Sequence, residues 1–180
     1  MTYRRFVIFV EGDDDRRLFD RHIRPILETY YDYVQLWPYA HKRPQKRSQF
    51  LRSLDNMAAE YVYITDIDQC PCVTAKKDDV VSSMVEIDPR NVIVVVKEIE
   101  SWYLAGLTDE ARRKLGIAHE GSTDEITKEQ FNALVPKEFE SRLDFKIEIL
   151  KLFSMEAGIA HNRSLGYLIE RVNRLAGSRT

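Results

Sequence analysis

The chain has 180 residues, 44% of them hydrophobic and 31% charged, with a formal net charge of −2. These values are typical of a globular protein that can bury a sizeable core. They count against a strongly basic surface that binds nucleic acid without sequence preference. No apolar run approaches the roughly 18 residues of a membrane-spanning helix, and the N-terminus lacks the long apolar region of a signal peptide. We therefore expect a cytoplasmic protein with no membrane partner.

Strands that alternate with helices are predicted along residues 1–107. Apolar runs rich in β-branched and aromatic residues predict strands, and apolar residues at helical spacing predict the helices between them. The predicted strands are 4–10, 33–38, 60–65 and 92–96. The predicted helices are 14–29, 48–59, 73–86 and 99–107. This alternation indicates an α/β fold with a mostly parallel sheet of about four strands flanked by helices.

The pattern changes beyond residue 108. Amphipathic helical stretches occur at 111–115, 128–134, 146–153 and 165–175, with polar segments between them. Residues 112–114, Arg-Arg-Lys, are interpreted as a helix face with no special role. We expect a helical extension over 108–180 that packs on the α/β core of 1–107 as part of a single compact domain.

Carboxylates follow the ends of three predicted strands: Glu11 after the first, Asp66 and Asp68 after the third, Glu98 and Glu100 after the fourth. Parallel strands place ligands outside their carboxyl ends, and two aspartates two apart on an extended strand share a face. If the strands are neighbours, these oxygens can converge on Mg²⁺ or Mn²⁺, and two-metal chemistry on a phosphodiester needs little else. The alternative interpretation is that these acidic residues only begin turns and helices.

Basic residues lie between the second strand and the following helix, and after the third strand. A charge run is commonly a solvated face or a helix start, but this one leaves the same edge of the sheet as the carboxylates. Trp37 and Tyr39 lie just upstream, where aromatic rings can stack on bases. The predicted nucleic-acid contacts are Lys42, Arg43, Lys46, Arg47 and Lys76.

Residues 10–15, Val-Glu-Gly-Asp-Asp-Asp, and the later strand that closes on Asp66-Ile67-Asp68 resemble a Toprim domain. This is the catalytic module of bacterial primases, type IA and type II topoisomerases, RecR-like repair proteins and OLD-family nucleases. The resemblance implies that Glu11 is the general acid or base. It also implies that Asp66 and Asp68 bind magnesium.

A second resemblance involves residues 97–105, Lys-Glu-Ile-Glu-Ser-Trp-Tyr-Leu-Ala. They are similar to an E-x-W-x-L-A-D stretch of small stand-alone Toprim-like proteins, and residues 159–169 resemble the C-terminal helix of those proteins. The match implies that Glu98 or Glu100 also faces the metal. The Asp that ends the stretch in that family is Gly106 here.

These observations favour magnesium-dependent phosphodiester hydrolysis or phosphoryl transfer on nucleic acid, DNA or RNA, within a defence or repair system by analogy. Two alternatives stay open. A strand ending in D-x-D also suits a HAD-like phosphatase with Asp66 as nucleophile, although that strand normally comes first in the fold. The third hypothesis is a Toprim-fold binding module that recruits a partner protein and catalyses nothing.

Overall fold

The computed structural model describes residues 3–84 and 86–177. All four predicted strands are present: β1 (Arg5–Val10), β2 (Tyr33–Pro38), β3 (Glu60–Asp66) and β4 (Val92–Val95). The helices are α1 (Asp13–Leu18), α2 (Arg24–Leu27), α3 (Pro44–Asn56), α4 (Val73–Ser83), α5 (Glu100–Ala105), α6 (Asp109–Lys114), α7 (Lys128–Ala133), α8 (Arg142–Leu152), α9 (Met155–His161) and α10 (Arg163–Gly177). The prediction of an α/β fold is confirmed.

The strands form one sheet in the order β2-β1-β3-β4. β1 pairs in parallel with both of its neighbours, and Phe9 lies opposite Trp37 on β2 and Tyr63 on β3. The carboxyl ends of these three strands therefore lie at one edge of the sheet.

The helix predicted over 14–29 is interrupted. A π-helical turn at Phe19–Ile23 separates α1 from α2, and Pro25 lies in the first turn of α2. Proline has no backbone N–H to continue an α-helical ladder, which accounts for a break at this point. The helix predicted over 73–86 ends at Ser83, and Val85 lies outside the described residues.

The chain divides into two compact units. The first contains the described residues up to Val94 together with those from Glu170 onward. Its core has Phe9 at the centre, whose ring contacts those of Trp37, Phe50, Tyr61 and Tyr63 at centroid distances of 5.2–6.0 Å. The same cluster includes Leu51 and Leu54 from α3, Val80 from α4 and Met84 directly after α4.

The second unit is Val95–Ile169. Trp102 and Tyr103 on α5 are fully buried, and the indole Nε1 of Trp102 donates a hydrogen bond to Ser164 Oγ at 2.8 Å. Gly106 directly follows α5. A Cβ added at this position would lie 2.1 Å from the Phe153 ring, so a side chain does not fit there. Helix α9 was not predicted, and its first turn is capped by Ser154, which accepts a hydrogen bond from the Ala157 N–H.

In the described part of the chain, no helix combines the length and the apolar character needed to cross a membrane.

Candidate active site

The acidic residues Glu11 and Asp66 leave the sheet on adjacent strands. β1 ends at Val10 and β3 ends at Asp66. Counting two residues on from the pair Phe9 and Tyr63 brings Glu11 opposite Thr65, next to Asp66. The neighbouring strands that the site hypothesis requires are therefore present.

Asp15 holds the turn that carries Glu11. Its Oδ2 accepts hydrogen bonds from the N–H groups of Glu11 at 2.8 Å and Gly12 at 3.1 Å. The side chain is buried, and burial raises the pKa of Asp15 to about 6 although the two N–H donors lower it. This role of Asp15 was not predicted from the sequence. Its position three after Gly12, at the N-terminus of a helix, is the one from which an acidic side chain commonly reaches back.

Asp68 is not part of the extended strand, which contradicts the expectation that Asp66 and Asp68 share a strand face. β3 has ended, and Asp68 has a φ of +51°, in the left-handed region that Asp tolerates better than most residues. Its exposed carboxylate pairs with Nζ of Lys76, a buried residue on α4. A turn, not strand alternation, thus sets where Asp68 lies.

Glu11 and Asp68 interact electrostatically, together with Lys76 and Arg47. The pKa of Glu11 is raised, first because surrounding protein atoms displace part of its hydration and then because of the charge of Asp68. Lys76 and Arg47 act in the opposite direction. The pKa of Lys76 is also raised: burial opposes this, but the hydrogen bond and the charge of Asp68 outweigh it.

Arg47 connects the basic segment to this site. Its Nε donates to the Lys42 carbonyl at 3.0 Å and its Nη1 to the Tyr63 hydroxyl at 3.3 Å. Tyr39, expected to be available for base stacking, is buried against Tyr63 at 4.6 Å between ring centroids. Helix α3 begins at Pro44, four residues before the predicted start, and the remaining predicted contacts here, Lys42, Arg43 and Lys46, are exposed.

A cavity of about 280 Å³ adjoins Glu11. The turn after β1 forms one side, and the end of β2 with the following loop forms the other, including Trp37, His41 and Lys42. Trp37 is stacked on Phe50 at 4.6 Å and still lines the cavity. This places an aromatic ring and a lysine beside the predicted catalytic carboxylate.

Glu98 and Glu100 have protein partners within the second unit. Glu98 accepts a hydrogen bond from the backbone N–H of Lys128 at the start of α7. Glu100 is buried and forms an ion pair with Lys146 at 2.8 Å. Their role as metal ligands stays a prediction. Within residues 3–84 and 86–177, no group of three or more His, Cys, Asp or Glu side chains has a metal-binding arrangement.

The chain therefore has an α/β fold with a parallel sheet, and acidic residues follow the carboxyl ends of two of its strands. Two solved structures with similar folds are C-terminal regions of OLD proteins. That of Xanthomonas campestris pv. campestris has 16% sequence identity and a TM-score of 0.52, and covers 99% of this chain and 98% of its own. The C-terminal region of the Burkholderia pseudomallei OLD protein has 15% identity and a TM-score of 0.50, and the match covers 96% of this chain and 98% of that one. No family model and no curated protein matches the sequence.

Proposed function

We propose that this chain is a Toprim-like enzyme that hydrolyses or transfers phosphodiesters of nucleic acid with the help of Mg²⁺ or Mn²⁺. The observation that carries the proposal is that Glu11 and Asp68 interact electrostatically. Glu11 follows β1, and Asp68 lies in the turn after β3, the neighbouring parallel strand. The Toprim resemblance of the sequence includes OLD-family nucleases, and the similar solved folds are OLD C-terminal regions. These two lines of support are of different kinds, one from motifs and one from the backbone.

The donor set suits a hard cation. Asp66 and Asp68 offer carboxylate oxygens, and Mg²⁺ in proteins takes one or two carboxylates and completes its shell with water and substrate phosphate oxygens. A cation bound there supplies charge stabilisation at the phosphate. Lys76, which pairs with Asp68, would place a positive charge beside a bound phosphate. The role of Glu98 and Glu100 as further ligands stays a prediction, since both have protein partners within the second unit.

Glu11 is proposed to move the proton. A carboxyl whose pKa is raised toward neutrality exchanges protons more readily under physiological conditions. Partial loss of hydration and the charge of Asp68 raise the pKa of Glu11, while its side chain stays exposed to solvent. The hydrogen bonds from the Glu11 and Gly12 N–H groups to Asp15 fix the backbone from which this carboxyl projects. Arg47 and Lys76 supply positive charge beside it, which favours the approach of a phosphate.

The cavity beside Glu11 is the proposed site for the nucleoside that flanks the reacting phosphate. Its aromatic wall is Trp37, and its cation is Lys42. Exposed Arg43 and Lys46, on the same segment, are proposed to contact the next phosphates along the strand.

The decisive experiment is a cleavage assay on single- and double-stranded DNA and RNA with Mg²⁺ or Mn²⁺. Glu11→Gln and Asp66→Asn are expected to lower the rate by about 100-fold or more, because they remove a proton-transfer group and a metal ligand. Chelation of the metal should have the same result. Exposed Glu138→Gln and Asp78→Asn, which change the same chemical groups elsewhere, should leave the rate unchanged.

Two outcomes would replace the proposal. A phosphoryl group trapped on Asp66 from a phosphomonoester substrate would indicate the HAD-like phosphatase. Nucleic-acid binding without cleavage, equal in wild type and Glu11→Gln, would indicate the non-catalytic binding module.

A further inference from the structure

The second unit contains a polar pocket of about 500 Å³ that the proposed function does not use. It lies among α6, the loop that follows it and the end of α9. The lining side chains relevant here are Asp109, Arg112, Arg113, His119, Glu120 and His161. This volume lies within the range of small-molecule binding sites, about 300–1,000 Å³.

Arg112 is the unusual member of this set. Three cationic residues are buried in the described part of the chain: Lys76, Arg112 and Lys146. Lys76 and Lys146 each form an ion pair with a carboxylate. Arg112 is 3% exposed, and no described carboxylate lies within ion-pair distance of its guanidinium, 4.0 Å. Exposed Asp109 and Glu120 act on Arg112 only at longer range, and burial lowers its pKa in spite of them. A buried cation without an ion-paired carboxylate is unfavourable, so an anion bound in the pocket would stabilise it.

The neutral partners of Arg112 leave one of its donors poorly satisfied. Nη1 donates to the His119 carbonyl at 3.2 Å, and Nη2 lies 3.3 Å from Nδ1 of His161. The same Nδ1 lies 3.0 Å from the carbonyl oxygen of buried Ala105. An imidazole nitrogen donates or accepts, but not both. If it donates to the closer carbonyl, Nη2 has no acceptor there, and an oxyanion in the pocket can provide one.

The other lining groups restrict the kind of anion. Arg113 is exposed and adds a second cation. Asp109 and Glu120, also exposed, repel a run of phosphates but accept hydrogen bonds from hydroxyl groups. A single phosphate attached to a hydroxyl-bearing group satisfies both halves of the lining.

We propose that this pocket binds a phosphomonoester carried by a sugar, such as a nucleoside 5′-monophosphate, with Arg112 as the buried anchor of the phosphate. Arg113 contacts the phosphate from the solvent side, and Asp109 or Glu120 contacts the sugar hydroxyls. This proposal does not depend on phosphodiester cleavage, and it is the same whether or not Glu11 is catalytic.

Calorimetric titration of the whole chain with AMP, inorganic phosphate and adenosine tests the proposal. AMP is expected to bind most tightly, phosphate more weakly, and adenosine not measurably. Arg113→Ala should weaken AMP binding by about tenfold, which corresponds to about 1.4 kcal/mol, because it removes a charge-assisted hydrogen bond. Arg112→Gln should weaken AMP binding by at least as much. Lys114→Ala removes an exposed cation from the same helix outside the pocket and should change affinity less than twofold.

Arg113 is exposed, so its variant keeps the test valid even if Arg112→Gln does not fold. Competition by a 5′-phosphorylated oligonucleotide, but not its 5′-hydroxyl form, in a Glu11→Gln background would identify a nucleic-acid end as the source of the phosphate. Competition by neither would identify a free nucleotide. Absence of AMP binding at millimolar concentration, or equal AMP affinity in wild type and Arg113→Ala, would overturn the proposal.

Discussion

The two units each contain a buried lysine paired with a carboxylate, and the two pairs differ in the exposure of the acid. In the second unit the side chains of Lys146 and Glu100 are 1% and 4% exposed. In the first unit the side chain of Lys76 is 9% exposed, but that of Asp68 is 60% exposed. The Lys146 pair is closed to solvent and contributes to the core. The Lys76 pair is accessible to solvent on its acidic side.

The largest expected effect is on the closed pair. Lys146→Met leaves Glu100 buried without its ion-pair partner, and such a change typically lowers the free energy of unfolding by about 3–5 kcal/mol. Lys76→Met, the matched change, should lower it by about 1 kcal/mol or less, because exposed Asp68 is solvated by water. Urea denaturation of both variants measures the difference. Equal losses would show that exposure of the acid does not distinguish the pairs.

Asp15 extends the comparison to a buried acid held by backbone N–H groups. Its pKa is about 6 in the folded chain against 3.8 as the unperturbed value. The folded state therefore binds its proton more tightly, and the stability that this contributes is present below pH 4 and lost as the pH rises through 6. Asp15→Asn retains an oxygen acceptor and removes this dependence.

The free energy of unfolding of Asp15→Asn, relative to wild type, should rise by about 2–3 kcal/mol between pH 4 and pH 7, because each pKa unit corresponds to about 1.36 kcal/mol. Denaturation curves at the two pH values measure it, with exposed Asp13→Asn as the control for loss of a carboxylate in the same helix. If the difference in free energy of unfolding between Asp15→Asn and wild type did not change with pH, the pKa of Asp15 would not be raised in the folded chain.

The smallest expected effect is on metal affinity. Lys76 competes with a cation for Asp68, so Lys76→Met should bind Mg²⁺ a few-fold more tightly in the absence of nucleic acid. A change of this size corresponds to about 1 kcal/mol. Titration with Mg²⁺ measures it, and Lys77→Met is a neighbouring control on the same helix. Weaker binding by Lys76→Met would mean that the lysine supports the cation site and does not compete for it.

The sequence was sufficient for what depends on local pattern. The four strands follow from continuous apolar runs, and parallel pairing then puts Glu11 and Asp66 at one edge. It was insufficient for what depends on turns. The left-handed Asp68 and the reach of Asp15 back to Glu11 are set by the backbone where β3 and β1 end.

The burial of charged residues was also not predictable from the sequence pattern. Arg112 belongs to a run that was interpreted as a helix face with no special role, and its burial was not predicted. Glu100, whose role as a metal ligand stays a prediction, forms a buried ion pair with Lys146, 46 residues away in sequence, and this pair was not predicted. Such partners come together only through the packing of α5, α6 and α8 with later segments, which periodicity does not predict.

Gly106 has a consequence for how chains of this kind can diverge. The Phe153 ring occupies the space that any side chain at position 106 would need, and the similar stretch in stand-alone Toprim-like proteins has Asp there. An acidic residue at 106 and a large aromatic one at 153 are mutually exclusive in this packing. The two positions are therefore expected to covary, so that a chain with Asp at one has a small residue at the other.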